Sequence, residues 1–187
     1  MKELSLNVLD ITENSVKAGA TLIKIVLEET EETLRFTVSD NGCGMREEIL
    51  RGVIDPFYTT RTTRKVGLGI PLLKLAAEQT GGEIRITSRH ESEYPEDHGT
   101  ETSALFYKNH IDFTPMGDIV STMTTLIQGS PEIDFEFLHT APNLRVELST
   151  QQMREILGGE IPLNDPEIIR WIGQFMKEQY ENITNNE

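Results

Sequence analysis

The chain is short of cysteine: Cys43 is the one thiol in 187 residues. A disulfide framework within the chain is thereby excluded. Because Cys43 sits between Gly42 and Gly44, it reads as a small side chain in a turn rather than as a redox sensor. No run of 18 apolar residues occurs, so no helical membrane span is expected. A basic-then-apolar leader is also missing from the first residues, and a cytoplasmic location is expected. Basic side chains are scarce as well: 17 Lys and Arg stand against 31 Asp and Glu, a formal net charge of −14. Such a surface repels a phosphate backbone unless basic groups are segregated, so nucleic acid is not expected as the main partner.

The acidic excess is uneven. Residues 1–108 hold 18 acidic and 13 basic side chains, whereas residues 109–187 hold 13 and 4. One local basic cluster stands out, Arg61, Arg64 and Lys65. It reads either as a solvated loop or as a lid that meets phosphates, and the strength of charge-assisted contacts to phosphate favours the lid.

Four stretches in the first half follow one another in order: LDITENSVKAGA at 9–20, SDNGCGM at 39–45, DPFYTTR at 55–61 and KVGLGIPLLK at 65–74. Each supplies a different part of what holding a nucleotide requires. Asp10 and Asn14, four apart, leave the same face of a helix. Asp40 opens a turn in which Gly42 and Gly44 let the backbone take conformations closed to other residues and let a flat base approach. Gly67 and Gly69 lead into an apolar run with Pro71 near its start, the mark of a helix whose first N–H groups face phosphates. Taken singly, each stretch has a plainer reading. Asp40-Asn41-Gly42 is a good hairpin turn, the second glycine pair is a tight strand-to-helix connection, and Asp10 with Asn14 is a solvated helix face. Their coincidence, together with Phe57 and Gly99-Thr100, favours the joint reading.

In this order and spacing the four boxes resemble the GHKL superfamily, the ATPase domains of gyrase, the heat-shock chaperone, sensor histidine kinases and the mismatch-repair protein MutL. The resemblance covers roughly residues 3–108. It implies a two-layer α/β sandwich of the Bergerat type, in the broad α/β (α+β) class, with ATP and Mg²⁺ as cofactors. It further implies that Asn14 is a Mg²⁺ ligand and that Asp40 accepts a hydrogen bond from the adenine amino group. Gly42, Gly44, Gly67 and Gly69 complete the two glycine boxes, Thr100 supports the adenine end, and Arg61, Arg64 and Lys65 fall in the lid.

ENSVKAGA is similar to the ENSLDAGA of the mismatch-repair branch, and in that alignment the catalytic glutamate is replaced by Asp10, one methylene shorter. Asp10 is the candidate general base, with slow hydrolysis or a supporting role near the metal as alternatives. DPFYTTR with KVGLGI is closer to the sensor kinases. Since the first box lies within about ten residues of Met1, no upstream phosphoacceptor hairpin is expected, and any acceptor is expected elsewhere or on another protein. His110, in HIDFTPM, has the spacing of a phosphoacceptor box but lies on the wrong side of the ATP domain; a domain junction is the favoured reading.

Periodicity predicts helix over 3–18, strands over 21–28 and 33–39, a helix ending near Thr80, and strands in GEIRITSR and over 100–108. Beyond residue 110 it predicts a helix in 115–128, a strand pair at 132–138 and 143–148, a helix capped from Ser149 and another from Asp165-Pro166. The organisation expected is an ATP-binding domain at 1–110 and a small acidic α+β domain at 111–187 that docks a protein partner, with the final ENITNNE frayed. Two functions remain open: a stand-alone protein kinase acting on a partner, or a nucleotide-gated binding module or weak ATPase.

Overall fold

The computed structural model describes residues 3–54, 69–158 and 161–184. Phe57, Arg61, Arg64, Lys65 and Gly67 lie outside the described residues. The elements run α1 (Leu4–Lys17), β1 (Leu22–Glu29), β2 (Thr33–Asp40), α2 (Glu47–Ile54), α3 (Gly69–Gln79), β3 (Glu83–Arg89), β4 (Gly99–Tyr107), α4 (Ile119–Gly129), β5 (Asp134–Ala141), β6 (Leu144–Ser149), α5 (Thr150–Leu157) and α6 (Pro166–Thr184).

The strands form one sheet in the order β3-β4-β2-β1-β5-β6. Every neighbouring pair is antiparallel except β1 and β5, which run parallel. Alternation sets the faces. Ile23, Ile25 and Leu27 of β1, Leu34, Phe36 and Val38 of β2, Ala104 and Phe106 of β4, Phe135 and Phe137 of β5, and Val146 and Leu148 of β6 are all buried. Phe36 and Phe106 stack with centroids 6.1 Å apart at the centre of this layer. Helices α1, α3, α4 and α6 cover that face with Leu4, Val8, Leu73, Met123, Ile127, Ile172 and Met176. The opposite face is polar: Lys24 of β1 meets Glu136 of β5 at 2.9 Å, and Thr37 donates to Ser103 at 3.1 Å. Helices on one side of a single sheet make the expected two-layer α/β sandwich.

The segment beyond residue 110, read from the sequence as a small separate unit, is built into the same sheet and the same hydrophobic core. The physical reason is the edge of β1. Without β5 that strand would present a row of unpaired backbone groups, and β5 in turn needs cover for Phe135 and Phe137. The residue-110 boundary therefore separates sequence motifs, not cores. Around it, His110 lies exposed in a turn, and the Pro115 and Met116 carbonyls accept the Leu4 and Ser5 N–H groups at 2.9 and 2.8 Å. These bonds satisfy donors that open the first turn of α1, where Glu3 supplies no side-chain cap.

Other differences from expectation are local. No helix is expected over Glu47–Ile54, a span of eight residues that is short for a periodicity reading. Helix α6 continues through Thr184, so the first four residues of ENITNNE are helical rather than frayed. The caps foreseen at Ser149 and Asp165 are present: Ser149 Oγ accepts from Gln152 N, and Asp165 Oδ1 from Glu167 N.

At the end of β1 a polar cluster ties the late strands to the early ones. His139 on β5, only 4 % exposed, places Nδ1 2.8 Å from the Tyr180 hydroxyl and Nε2 3.1 Å from Glu29. Lys108 donates to the other Glu29 oxygen at 2.8 Å. The bond with His139, aided by Lys108 and opposed by burial, lowers the Glu29 carboxyl from 4.5 to about 2; burial, then the Glu29 charge, raises the Tyr180 phenol. Because the folded value lies below the unfolded one, the stabilisation is complete above about pH 4.5 and is lost as pH falls from there towards 2. Urea unfolding of Glu29→Gln is expected to show a loss on the order of 2 kcal/mol at pH 7 that shrinks by pH 3.

Candidate nucleotide-binding site

The site forms where the C-terminal ends of α1 and β2 meet the start of β4. Asp40, the last residue of β2, pairs with Thr100 of β4. Its Oδ1 accepts the Gly42 N–H at 2.8 Å and the Thr100 N–H at 3.3 Å. Its Oδ2 accepts the Ser15 hydroxyl at 2.5 Å. A carboxylate oxygen has two lone pairs, so Oδ2 keeps one free in a residue that is only half-buried.

Asn41 does not turn the chain into a hairpin. Its Oδ1 accepts the Thr21 and Leu22 N–H groups at 2.9 and 3.0 Å, stitching the start of β1 to the end of β2. The hairpin between those strands lies at the other end, where Thr30 and Thr33 close the turn. Residues 42–45 are clamped on two sides. Cys43 donates its N–H to the Ala18 carbonyl and accepts the Glu91 N–H through its own carbonyl. His98 Nδ1 lies 2.6 Å from the Gly42 carbonyl; facing a carbonyl, it donates. Ser88 is the hub of the far wall: it accepts the Met45 N–H at 2.7 Å, donates to the Gly99 carbonyl at 3.0 Å and lies 2.8 Å from Thr100 Oγ1.

Two glycines here have no substitute. Gly44 holds φ +67°, and a Cβ there would lie 1.9 Å from the Arg89 carbonyl oxygen. Gly99 holds φ +139°, and its Cβ would lie 1.9 Å from the Asp40 carbonyl oxygen.

Helix α1 brings the remaining groups. Asp10 is half-buried and Asn14, one turn on, is exposed. Gly69, the first residue of α3, faces Asp10: a Cβ on it would come 3.3 Å from Asp10 Cβ and 3.7 Å from Oδ2. Gly69 of the second glycine box thus lies beside the carboxylate of the 9–20 stretch. Among the sites read from the sequence, Asp40, Gly42 and Thr100 share one hydrogen-bonded cluster, Asp10 and Gly69 touch, Gly44 packs on the β3 end, and Asn14 faces solvent. Ser15, Ser88 and His98 were not foreseen. Ser15 stands inside the ENS tripeptide and had a local signal; Ser88 and His98 act across strands and had none.

With this geometry in view, comparison with known proteins is decisive on one point: the family described as histidine kinase-, DNA gyrase B- and HSP90-like ATPase matches residues 2–122. The chain belongs to that family. It is 36 % identical over 76 residues to the tetrathionate sensor histidine kinase TtrS of Salmonella typhimurium, covering 41 % of this chain and 13 % of that kinase. It is 43 % identical over 58 residues to the sensor protein kinase FleS of Pseudomonas aeruginosa, covering 30 % and 14 %. The chain thus spans a small fraction of these relatives. Among solved structures, the Aquifex aeolicus MutL ATPase domain complexed with ADP superposes with a TM-score of 0.56 at 15 % identity, covering 84 % of this chain and 70 % of that one. The N-terminal domain of a DNA repair protein gives 0.53 at 17 %, covering 80 % and 52 %. These likenesses bear on the fold, and they extend well past residue 110, as the shared sheet requires. No helix among the described residues is long and apolar enough to cross a membrane.

Gly44→Ala is expected to cost about 3 kcal/mol or more, because the backbone must leave its left-handed conformation and clear the Arg89 carbonyl. Chemical denaturation of purified protein reads this loss, and an unchanged midpoint would contradict the clamp.

Proposed function

We propose that the site binds ATP with Mg²⁺ and that the chain transfers the γ-phosphoryl group to a partner protein. The observation that carries the nucleotide part is the fixed Asp40 carboxylate, with Ser15, Gly42 and Thr100 holding it and one Oδ2 lone pair free to accept an exocyclic amine. Guanine carries a carbonyl where adenine carries that amine, so the same carboxylate selects adenine. Gly69 at the start of an eleven-residue helix supplies N–H groups for phosphate, next to Asp10. Gly67, Arg61, Arg64 and Lys65 complete the phosphate side in this reading.

The donor set fits Mg²⁺ as nucleotide sites usually hold it. No group of three or more His, Cys, Asp or Glu among the described residues is placed to hold a metal, and Mg²⁺ bound to ATP takes most ligands from phosphates and water. One exposed amide oxygen, on Asn14, suffices from the protein. Mg²⁺ would neutralise phosphate charge there. Asp10, half-buried against the start of α3, is the group to accept a proton from the attacking nucleophile; being shorter than a glutamate, it has less reach to a water, and a protein hydroxyl or imidazole delivered by a partner suits it better. The sensor kinases among the relatives support transfer over hydrolysis. Positioning and electrostatics do most of the work in such transfers.

Asp40→Asn tests the adenine assignment. The asparagine keeps an acceptor for the Gly42 and Thr100 N–H groups and turns the other oxygen into a donor facing the amine. ATP affinity by calorimetry is expected to fall at least about 100-fold, roughly 2.7 kcal/mol, with the unfolding midpoint little changed; undiminished affinity overturns the pocket.

Asp10→Asn is expected to keep ATP affinity within a few-fold and to suppress turnover about 100-fold or more. With γ-labelled ATP and lysate of the source organism, label on a specific protein supports the kinase. Free phosphate with no labelled protein rejects it and leaves an ATPase.

A further inference from the structure

Among the described residues, strand β6 ends the sheet, pairing with β5 alone. Among those residues, one side chain bonds to the backbone of its outer edge. Gln179 of α6 accepts the Glu147 N–H through Oε1 at 2.9 Å and donates from Nε2 to the Glu147 carbonyl at 3.0 Å. A primary amide offers the donor and acceptor of a peptide group, so Gln179 stands where a peptide unit of a seventh strand would stand. By the period of two, Arg145 also directs its backbone groups outward.

Beside this edge runs an apolar row. Trp171, Phe175 and Gln179 are spaced by four on α6 and so share a stripe. Trp171 stacks on Phe175 at 5.4 Å and 11°, yet is 51 % exposed. It is the one tryptophan of the chain. Exposed Trp171, stacked on the partly buried Phe175 and in line with a side chain that mimics a strand, suits an extended segment with apolar groups on one face.

β6 itself meets that description. Val146 and Leu148 face the helix layer while Arg145 and Glu147 face the open side, already joined within the strand at 2.8 Å. When two β6 strands run antiparallel with Val146 opposite Val146, each Arg145 stands across from the second copy's Glu147, and both outward-directed residues exchange backbone bonds. The register one pair further on would set Glu147 against Glu147, like charges directly opposed. Self-pairing is therefore register-specific. It is also balanced in hydrogen bonds: the two side-chain bonds of each Gln179 give way to the main-chain bonds of two residue pairs. With the hydrogen bonds in balance, the exchange favours pairing where the second copy also covers Trp171.

We propose that the β6 edge is a homodimer interface, latched by Gln179, through which two copies join their sheets around a two-fold axis. It is independent of the nucleotide site, which lies at the end of β2.

Sedimentation velocity and Trp171 fluorescence test it together, from about 1 to about 200 μM protein. Wild type is expected to dimerise with concentration, and Trp171 emission to shift to the blue in step. Gln179→Ala, freed of the competing amide, is expected to dimerise about tenfold more tightly. Arg145→Glu, on the exposed face, should abolish the gain when added to Gln179→Ala, and adding Glu147→Arg should restore it. Circular dichroism and ATP affinity monitor the fold of each variant. A folded Gln179→Ala protein that stays monomeric overturns the proposal, and so does a dimer indifferent to Arg145→Glu. A dimer that leaves Trp171 emission unchanged uses another face and overturns it too, as does a monomer in which only a foreign extended peptide shifts Trp171.

Discussion

Helix α1 is held at both ends by groups from other parts of the chain, and the site follows from that restraint. At its start, Leu4 and Ser5 donate to Pro115 and Met116 of the connection leading to α4. At its end, Ser15 fixes Asp40, and the Ala18 carbonyl receives the Cys43 N–H. Between these anchors Leu4, Val8 and Ile11 lie on the sheet, fully or nearly buried. A rigid rod so fastened holds Asp10 and Asn14 at set heights above the ends of β2 and β4. Gly117, at φ +74° with no room for a Cβ beside Glu3, keeps the anchoring connection close. The late segment of the chain thus positions groups that the early segment supplies.

Much of this was legible from residue pattern. The alternation in TLIKIVLE and TLRFTVS and the 3.6-residue stripe through Leu4, Val8 and Ile11 specify both element type and buried face, because one face of each must meet the core. Asp40, Gly42 and Thr100 came together as a set through the resemblance, and Gly42 also through the freedom that a residue without a Cβ gives a turn. The fusion of β5 to β1 was not readable. Parallel pairing leaves no turn signature, and the residues 109–118 have the polar, glycine- and proline-bearing look of a linker. The cluster of Glu29, Lys108, His139 and Tyr180 was hidden for the same reason: four residues drawn from distant positions meet only after the sheet is assembled. Ser88 and His98 belong to this class as well.

The two ends of the sheet divide the labour. Where β2 ends, polar groups converge with an acceptor left over, and two glycines admit backbone approach that any side chain would block. Where β1 ends, charged and aromatic groups saturate one another: both Glu29 oxygens and both His139 nitrogens face partners. The first arrangement is open to a ligand. The second is closed, and its role is to lock α6 and β5 onto β1.

The parallel ladder between β1 and β5 also has a temporal side. Ile25 pairs with Phe137, closing a loop of about 110 residues, the longest of any ladder in the sheet, and loop closure of that length is entropically the most demanding. Strands β1 to β4 contact one another across shorter separations and are complete by Tyr107. On a ribosome strands β1 to β4 therefore emerge while the outer side of β1 is still bare. Until the last third of the chain arrives, that bare edge is the nascent protein's point of exposure to pairing with the wrong strand.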